Sequence, residues 1–394
     1  MKNQIFEVIM FSLLLAIIYI SFISLGLPDS LLGAAWPIMH VEMGAPISYA
    51  GIVSMIISAG TIVSSLFSDK LTRKLGAGLV TTCSVMLTAG ALLGFSLSGS
   101  FIMLCIFAIP YGLGAGAVDA ALNNYVALHY SARHMSWLHC FWGVGATIGP
   151  YIMGYAIGTA HGWRMAYGII SAIQILLTLV LFATLFIWKK PTSHTEGEVG
   201  EASIGLRGVV KLRGVRAILI AFFGYCAFES TAGLWASSYL VEYRGVDAET
   251  AASFASLFYL GITAGRFLCG FIADRIGDKN MIRIGASIIG AGILFIALPL
   301  QKPLTALAGL VIIGIGAAPV YPSIIHSTPH HFGKENSHAI VGIQMASAYV
   351  GSTFMPPVFG LVARHIHIGF YPLFMAIFVA LMLVMTEKVN KVCG

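Results

Sequence analysis

The chain has 394 residues, 58% of them hydrophobic and only 10% charged, with a formal net charge of +6 and a mean hydropathy of +0.89. A soluble domain carries about 25% charged residues, so a soluble fold of this length is excluded and the chain reads as an all-α membrane protein. Six cysteines (Cys83, Cys105, Cys140, Cys226, Cys269, Cys393) show no close pair and lie mostly in apolar runs, which argues against a disulfide framework and a zinc site.

A span needs about 20 apolar residues. Runs of that kind fall at roughly 8–37, 47–69, 76–98, 101–128, 136–158, 163–188, 215–240, 251–273, 281–300, 304–326, 338–362 and 369–387. The first is too long for a signal-peptide core and reads as a retained helix. Small residues suit close helix packing in a membrane, and the chain has 44 glycines. The long hydrophilic stretch after the sixth run, with Thr192, Ser193, His194, Glu196 and Glu198, reads as a solvated linker. The expected organisation is therefore twelve transmembrane helices in two pseudo-symmetric six-helix bundles, residues 1–188 and 215–394, joined by a cytoplasmic linker at 189–214.

Lysine and arginine set the orientation. With the amino terminus inside, 17 of the 22 basic residues fall in inner loops and tails, and four (Arg164, Arg244, Lys302, Arg364) fall outside. This predicts a plasma-membrane protein with both termini cytoplasmic, and it accounts for the net charge without a nucleic acid partner.

The halves repeat. Ser65-Leu-Phe-Ser-Asp69-Lys70-Leu-Thr72-Arg73-Lys74 matches Gly270-Phe-Ile-Ala-Asp274-Arg275-Ile-Gly277-Asp278-Lys279 at an offset of 205, and Gly145…Pro150 matches Gly351…Pro356 at 206. Both loops resemble the G-x-x-x-D-R-x-G-R-R signature of the major facilitator superfamily, with Ser65 and Thr72 in place of the two glycines in the first copy. That resemblance covers essentially the whole chain and implies alternating access by two six-helix halves related by an axis along the membrane normal. It implies that Asp69 with Arg73, and Asp274 with Arg275, act in gating as conformational latches and not as substrate ligands.

Ionisable groups inside spans cost about 2.5–3.5 kcal/mol on insertion scales and mark functional sites. Four stand out: Asp29, Asp119, Glu229 and Arg266. Asp119 and Asn123 share a helix face as i and i+4, as do Tyr225 and Glu229. In the superfamily, helices 1, 4 and 7 line the central cavity, which implies that all three carboxylates face it. Arg266 either serves gating by bracing the end of helix 8 or balances Glu229.

Asp119-Ala-Ala-Leu-Asn123-Asn124-Tyr125 resembles the E-x-x-x-N-P-Y stretch of the fucose–proton symporters, with Asp for Glu and Asn124 for Pro. His139-Cys-Phe141-Trp142-Gly-Val-Gly145-Ala-Thr-Ile-Gly149-Pro150 resembles their helix 5, with His139 in place of Gln. The resemblance implies Asp119 and Asp29 as proton-coupling groups, with Glu229 a further candidate, and Asn123, Tyr125 and His139 near substrate. Trp142 and Tyr225 offer faces for stacking on a sugar ring, and Gln344 is polar at span depth. His326, His330 and His331 have no acidic or thiolate partner nearby in sequence and read as a wet loop, not a metal site. With no Walker sequence and no hydrolase constellation, the chain reads as a non-enzymatic, cofactor-free monomer whose partners are a small-molecule substrate, protons and the lipid bilayer. The expected activity is proton-coupled transport of a small polar solute such as a sugar; the alternative is a proton-driven exporter of drugs or lipids, which calls for a more apolar cavity.

Overall fold

Chain in hydrocarbon must satisfy its own backbone, which leaves helices for sequences of this kind. The computed structural model describes residues 2–130, 132–188, 210–298 and 303–393, and no strand occurs among them. Most of the predicted linker, 189–209, lies outside the described residues. So do the side chains of Asp69, Arg73 and Asp274.

Contacts divide the chain into two compact units, Met1–Pro46 with Ile52–Ser193, and Ile47–Gly51 with His194–Gly394. The first unit contains α1 (Lys2–Asp29), α2 (Leu31–Glu42), α3 (Tyr49–Leu75) from Ile52 onward, α4 (Ala77–Ser96), α5 (Phe101–His129), α6 (Ala132–Ile157) and α7 (Gly162–Ala183). The second contains α8 (Val215–Glu242), α9 (Ala248–Ile276), α10 (Asp278–Ala297), α11 (Pro303–Ala317), α12 (Val320–His326), α13 (Thr328–Phe332), α14 (Lys334–Val362) and α15 (Tyr371–Cys393). The pairs α1/α2 and the run α11–α13 are single crossings interrupted by short breaks. Ten stretches of the described residues are long and apolar enough to cross a membrane. One of them, Ile340–Cys393, is two helices, because a π turn at Ala363–His367 and a 3-10 turn at Ile368–Phe370 separate α14 from α15. Outside the ten is α6, the helix that carries His139, Trp142, Thr147 and Pro150; with it the crossings among the described residues number twelve.

Each unit repeats the same packing. In the first, α1 lies on α6, and α4 lies between α5 and α7; in the second, α8 lies on α14, and α10 lies between α11 and α15. Glycines bring these helices into backbone contact. A Cβ on Gly145 or Gly149 would collide with the Ile23 or Leu27 carbonyl of α1, and Gly351 of α14 stands the same way against Phe223 of α8. Ile23 and Phe223 therefore correspond, and six residues beyond each come Asp29 and Glu229. The two carboxylates are counterparts, which the sequence reading did not recognise.

Left-handed glycines mark equivalent turns. Gly44 and Gly245 have φ of 60° and 66°, and Gly76 and Gly277 have 86° and 77°; each pair is 201 residues apart. The expected offset of 205 at the loop motif is corrected by this register. Asp69 precedes its loop glycine by seven residues and Asp274 by three, a difference of one helical turn or about 6 Å of rise. By helix register, Arg73 occupies the position that Asp274 holds in the second half.

Side chains turned outward are large and apolar, as hydrocarbon requires: Leu176, Phe182 and Phe271 are 64%, 68% and 69% exposed. Polar groups concentrate at the ends. Asp247 caps α9 by accepting the Thr250 backbone N–H at 2.8 Å, and hydrogen bonds from Thr250 hold its carboxyl below the usual carboxylate range.

Candidate functional site

The centre of the first unit is shaped by two prolines. Proline has no N–H, so Pro28 leaves the Ser24 carbonyl without its helical donor, and Pro150 does the same to Ala146. Both carbonyls are met by buried side chains. Gln174 of α7 donates to Ser24 O at 2.8 Å and accepts from Thr88 of α4 at 2.8 Å. Ser30 donates to Ala146 O at 2.8 Å. The helix stops at Asp29, Ser30 fills the break, and α2 resumes at Leu31.

Asp29 sits at this break and is accessible, at mid-span. Its Oδ1 accepts from the Tyr111 hydroxyl of α5 at 2.9 Å, and its Oδ2 accepts from the Trp142 indole N–H of α6 at 2.7 Å. Three helices thus converge on one carboxylate. An accessible ionisable group at this depth is a candidate functional residue, because hydrocarbon does not readily accept one. Along the same wall, Tyr19 stacks on Phe141 with ring centroids 4.6 Å apart, and its hydroxyl hydrogen-bonds His134 at 2.7 Å. His139 is accessible and stands edge-on to Phe22.

Asp119 is half-buried on α5. The Asn123 amide donates to its Oδ1 at 2.9 Å and to its backbone carbonyl at 3.0 Å, as the i, i+4 spacing predicted. Asp119 lies within electrostatic reach of Asp29. Tyr125 is placed elsewhere: it is buried, stacked on His129 at 4.2 Å and edge-on to Trp188. Tyr111, which the sequence reading did not single out, belongs to the Asp29 cluster.

In the second unit, Glu229 of α8 and Arg266 of α9 form an ion pair at 3.6 Å. Tyr225 is fully buried, and its hydroxyl donates to the Ala317 carbonyl at 3.0 Å, where α11 ends. Gln344 is fully buried too, its carbonyl accepting from Thr328 at 3.1 Å. Both are buried between helices of this unit, whereas the sequence predicts a stacking face at Tyr225 and a cavity-lining amide at Gln344. Arg275 is exposed. His326 hydrogen-bonds Asp278 at 2.8 Å, so it does have an acidic neighbour, and no cluster of metal-ligating residues occurs among the described residues.

Two repeats of six membrane helices, with carboxylates placed inside the spans, define a solute carrier. The Major Facilitator Superfamily profile matches residues 18–356, and the chain belongs to that family of transporters. It is 22% identical to "Bypass of stop codon protein 6" of Saccharomyces cerevisiae, over 92% of this chain and 79% of that one. It is 21% identical to the glucose/mannose transporter GlcP of Bacillus subtilis, over 77% of each chain. Its fold is similar to the crystal structure of the nucleoside transporter NupG, with a TM-score of 0.77, 14% identity and coverage of 95% and 98%.

Proposed function

We propose that this transporter takes up a small, uncharged, hydroxylated solute of the sugar class together with protons, by alternating access. The observation that carries the reading is the accessible Asp29 carboxylate, fixed by Tyr111 and Trp142 at a helix break and neighboured by Asp119 and Asn123. Carboxylate oxygens and an amide accept and donate to hydroxyls, and the Trp142 ring supplies a face for a sugar. The only intramembrane arginine noted in the sequence, Arg266, is paired with Glu229, which disfavours an anionic substrate. The glucose/mannose transporter among the relatives supports the same class, as does the resemblance of Asp119-Ala-Ala-Leu-Asn123 to the fucose–proton symporters.

Asp119 is assigned the transported proton, with Asp29 and Glu229 as neighbouring charges. The test is uptake into proteoliposomes under an imposed inward proton gradient, with labelled hexoses, hexuronates and lipophilic cations offered separately. A hexose or related polyol should accumulate, and a protonophore should abolish the accumulation. Accumulation of the lipophilic cations alone would overturn the reading in favour of an exporter-type cavity.

Asp69 and Asp274, with Arg73 and Arg275, are proposed as conformational latches at the face that carries the linker. Asp274→Asn should slow transport at least tenfold while substrate affinity stays near normal, because only the equilibrium between conformers is disturbed. Loss of binding with normal turnover would remove the latch role. Both termini are placed in the cytoplasm of a plasma-membrane protein on the strength of the basic-residue bias, which labelling of a cysteine introduced at Gly99 from outside the cell reads directly.

A further inference from the structure

Where α8 begins and α15 ends, the second unit carries a groove of about 530 Å³. Lys211, Arg213, Arg216 and Lys388 surround it, over a floor that includes Ile220 and Met385. All four cations are exposed, and none has a carboxylate partner among the described residues. The acidic side chain next in sequence, Glu387, already accepts from Nε and Nη2 of Arg283, at 2.6 and 2.8 Å. The first turn of α8 contains no acid, and Gly214 at its cap offers no side chain, so among the described residues no acidic or capping side chain from its own first turn meets the positive end of this 28-residue helix.

We propose that this groove binds the headgroup of an anionic phospholipid. Four cations without a carboxylate partner among the described residues, beside a helix N-terminus, suit a phosphate diester. The floor decides between a lipid and a soluble phosphate. Ile220, 41% exposed, and Val392, 43% exposed, extend the groove onto apolar helix surface, where an acyl chain would lie and a free phosphate would gain nothing. Basic pockets between membrane helices at a cytoplasmic face recognise lipid headgroups by this chemistry.

The test uses the purified full-length chain and measures equilibrium binding of fluorescent phosphatidylglycerol and phosphatidylcholine. Phosphatidylglycerol should bind in preference. Arg213→Gln with Arg216→Gln should weaken it about 30-fold, from the contribution of each cation near a headgroup. Ile220→Asn should weaken phosphatidylglycerol binding, and Lys391→Gln, outside the groove, should leave it unchanged. Melting temperatures of all variants identify any that merely unfold. Equal binding of the two lipids, no loss in the double variant, or displacement by inorganic phosphate as effective as by short-chain phosphatidylglycerol would each overturn the proposal. So would binding that emerges only after Glu196, Glu198 and Glu201 are replaced by Gln, since the linker would then be the natural occupant.

Discussion

Asp119→Asn is expected to abolish substrate accumulation driven by a proton gradient while leaving exchange of labelled for unlabelled substrate intact. Asparagine keeps the oxygen that accepts the Asn123 amide at 2.9 Å, so the local geometry survives and only the titrating proton is lost. Exchange needs the carrier to move loaded in both directions but needs no net proton movement. The neighbouring carboxylates should give different signatures. Asp29 receives two donors, Tyr111 O–H and Trp142 N–H; an amide in its place turns an NH2 toward one of them, and substrate affinity should fall. Glu229→Gln leaves Arg266 without its counter-charge in the membrane, and breaking such a pair typically costs about 3–5 kcal/mol, so lost stability should dominate. If a triple variant with amides at Asp29, Asp119 and Glu229 still concentrates substrate on a proton gradient alone, coupling lies elsewhere, and His139 is the next residue to test.

Gly145→Val is expected to be among the most damaging substitutions in the chain without touching a charge. Its new carbon would meet the Ile23 carbonyl of α1, a backbone atom that cannot rotate aside. Separating α1 from α6 also pulls Trp142 from Asp29 and Ser30 from Ala146, so the loss should reach about 3 kcal/mol and be accompanied by loss of transport. Gly90→Val is the control, because nothing lies within 4 Å of a Cβ there. The two variants melting at the same temperature in detergent would show that close contact of α1 with α6 is not what holds this unit together.

Much of the architecture was legible in the sequence because membrane spans announce themselves by length and hydropathy. The intramembrane charges were legible for the same reason: Asp29, Asp119, Glu229 and Arg266 are conspicuous in apolar runs. Their partners were less so. Asn123 lies four residues from Asp119 on one helix, and local spacing revealed it. Tyr111 lies 82 positions from Asp29, and a tyrosine in a helix looks the same whether it packs or donates. Gln174 offered a better clue, since an amide at mid-span needs partners and Pro28 elsewhere leaves a carbonyl in need of one. Tyr225 and Gln344 show the reverse limit: polarity at span depth does not say whether a side chain faces water or a neighbouring helix. The loop motif misled in its own way, because matching aspartate to aspartate concealed the extra helical turn that Gly76 and Gly277 reveal.

The hydrogen bonds at the break in α1 bear on how the first unit moves. Gln174 and Ser30 satisfy carbonyls freed by prolines on α1 and α6, and each does so at 2.8 Å. Sliding α1 along α6 by the length of a single bond would strand the buried Ala146 carbonyl, and sliding it along α7 would strand the buried Ser24 carbonyl and the Gln174 amide. A kink of this kind is commonly taken for a hinge, yet here it works as a rivet. Helices α1, α4, α6 and α7 should therefore travel as one rigid piece, and bending during the transport cycle should fall on segments that carry no such cross-links.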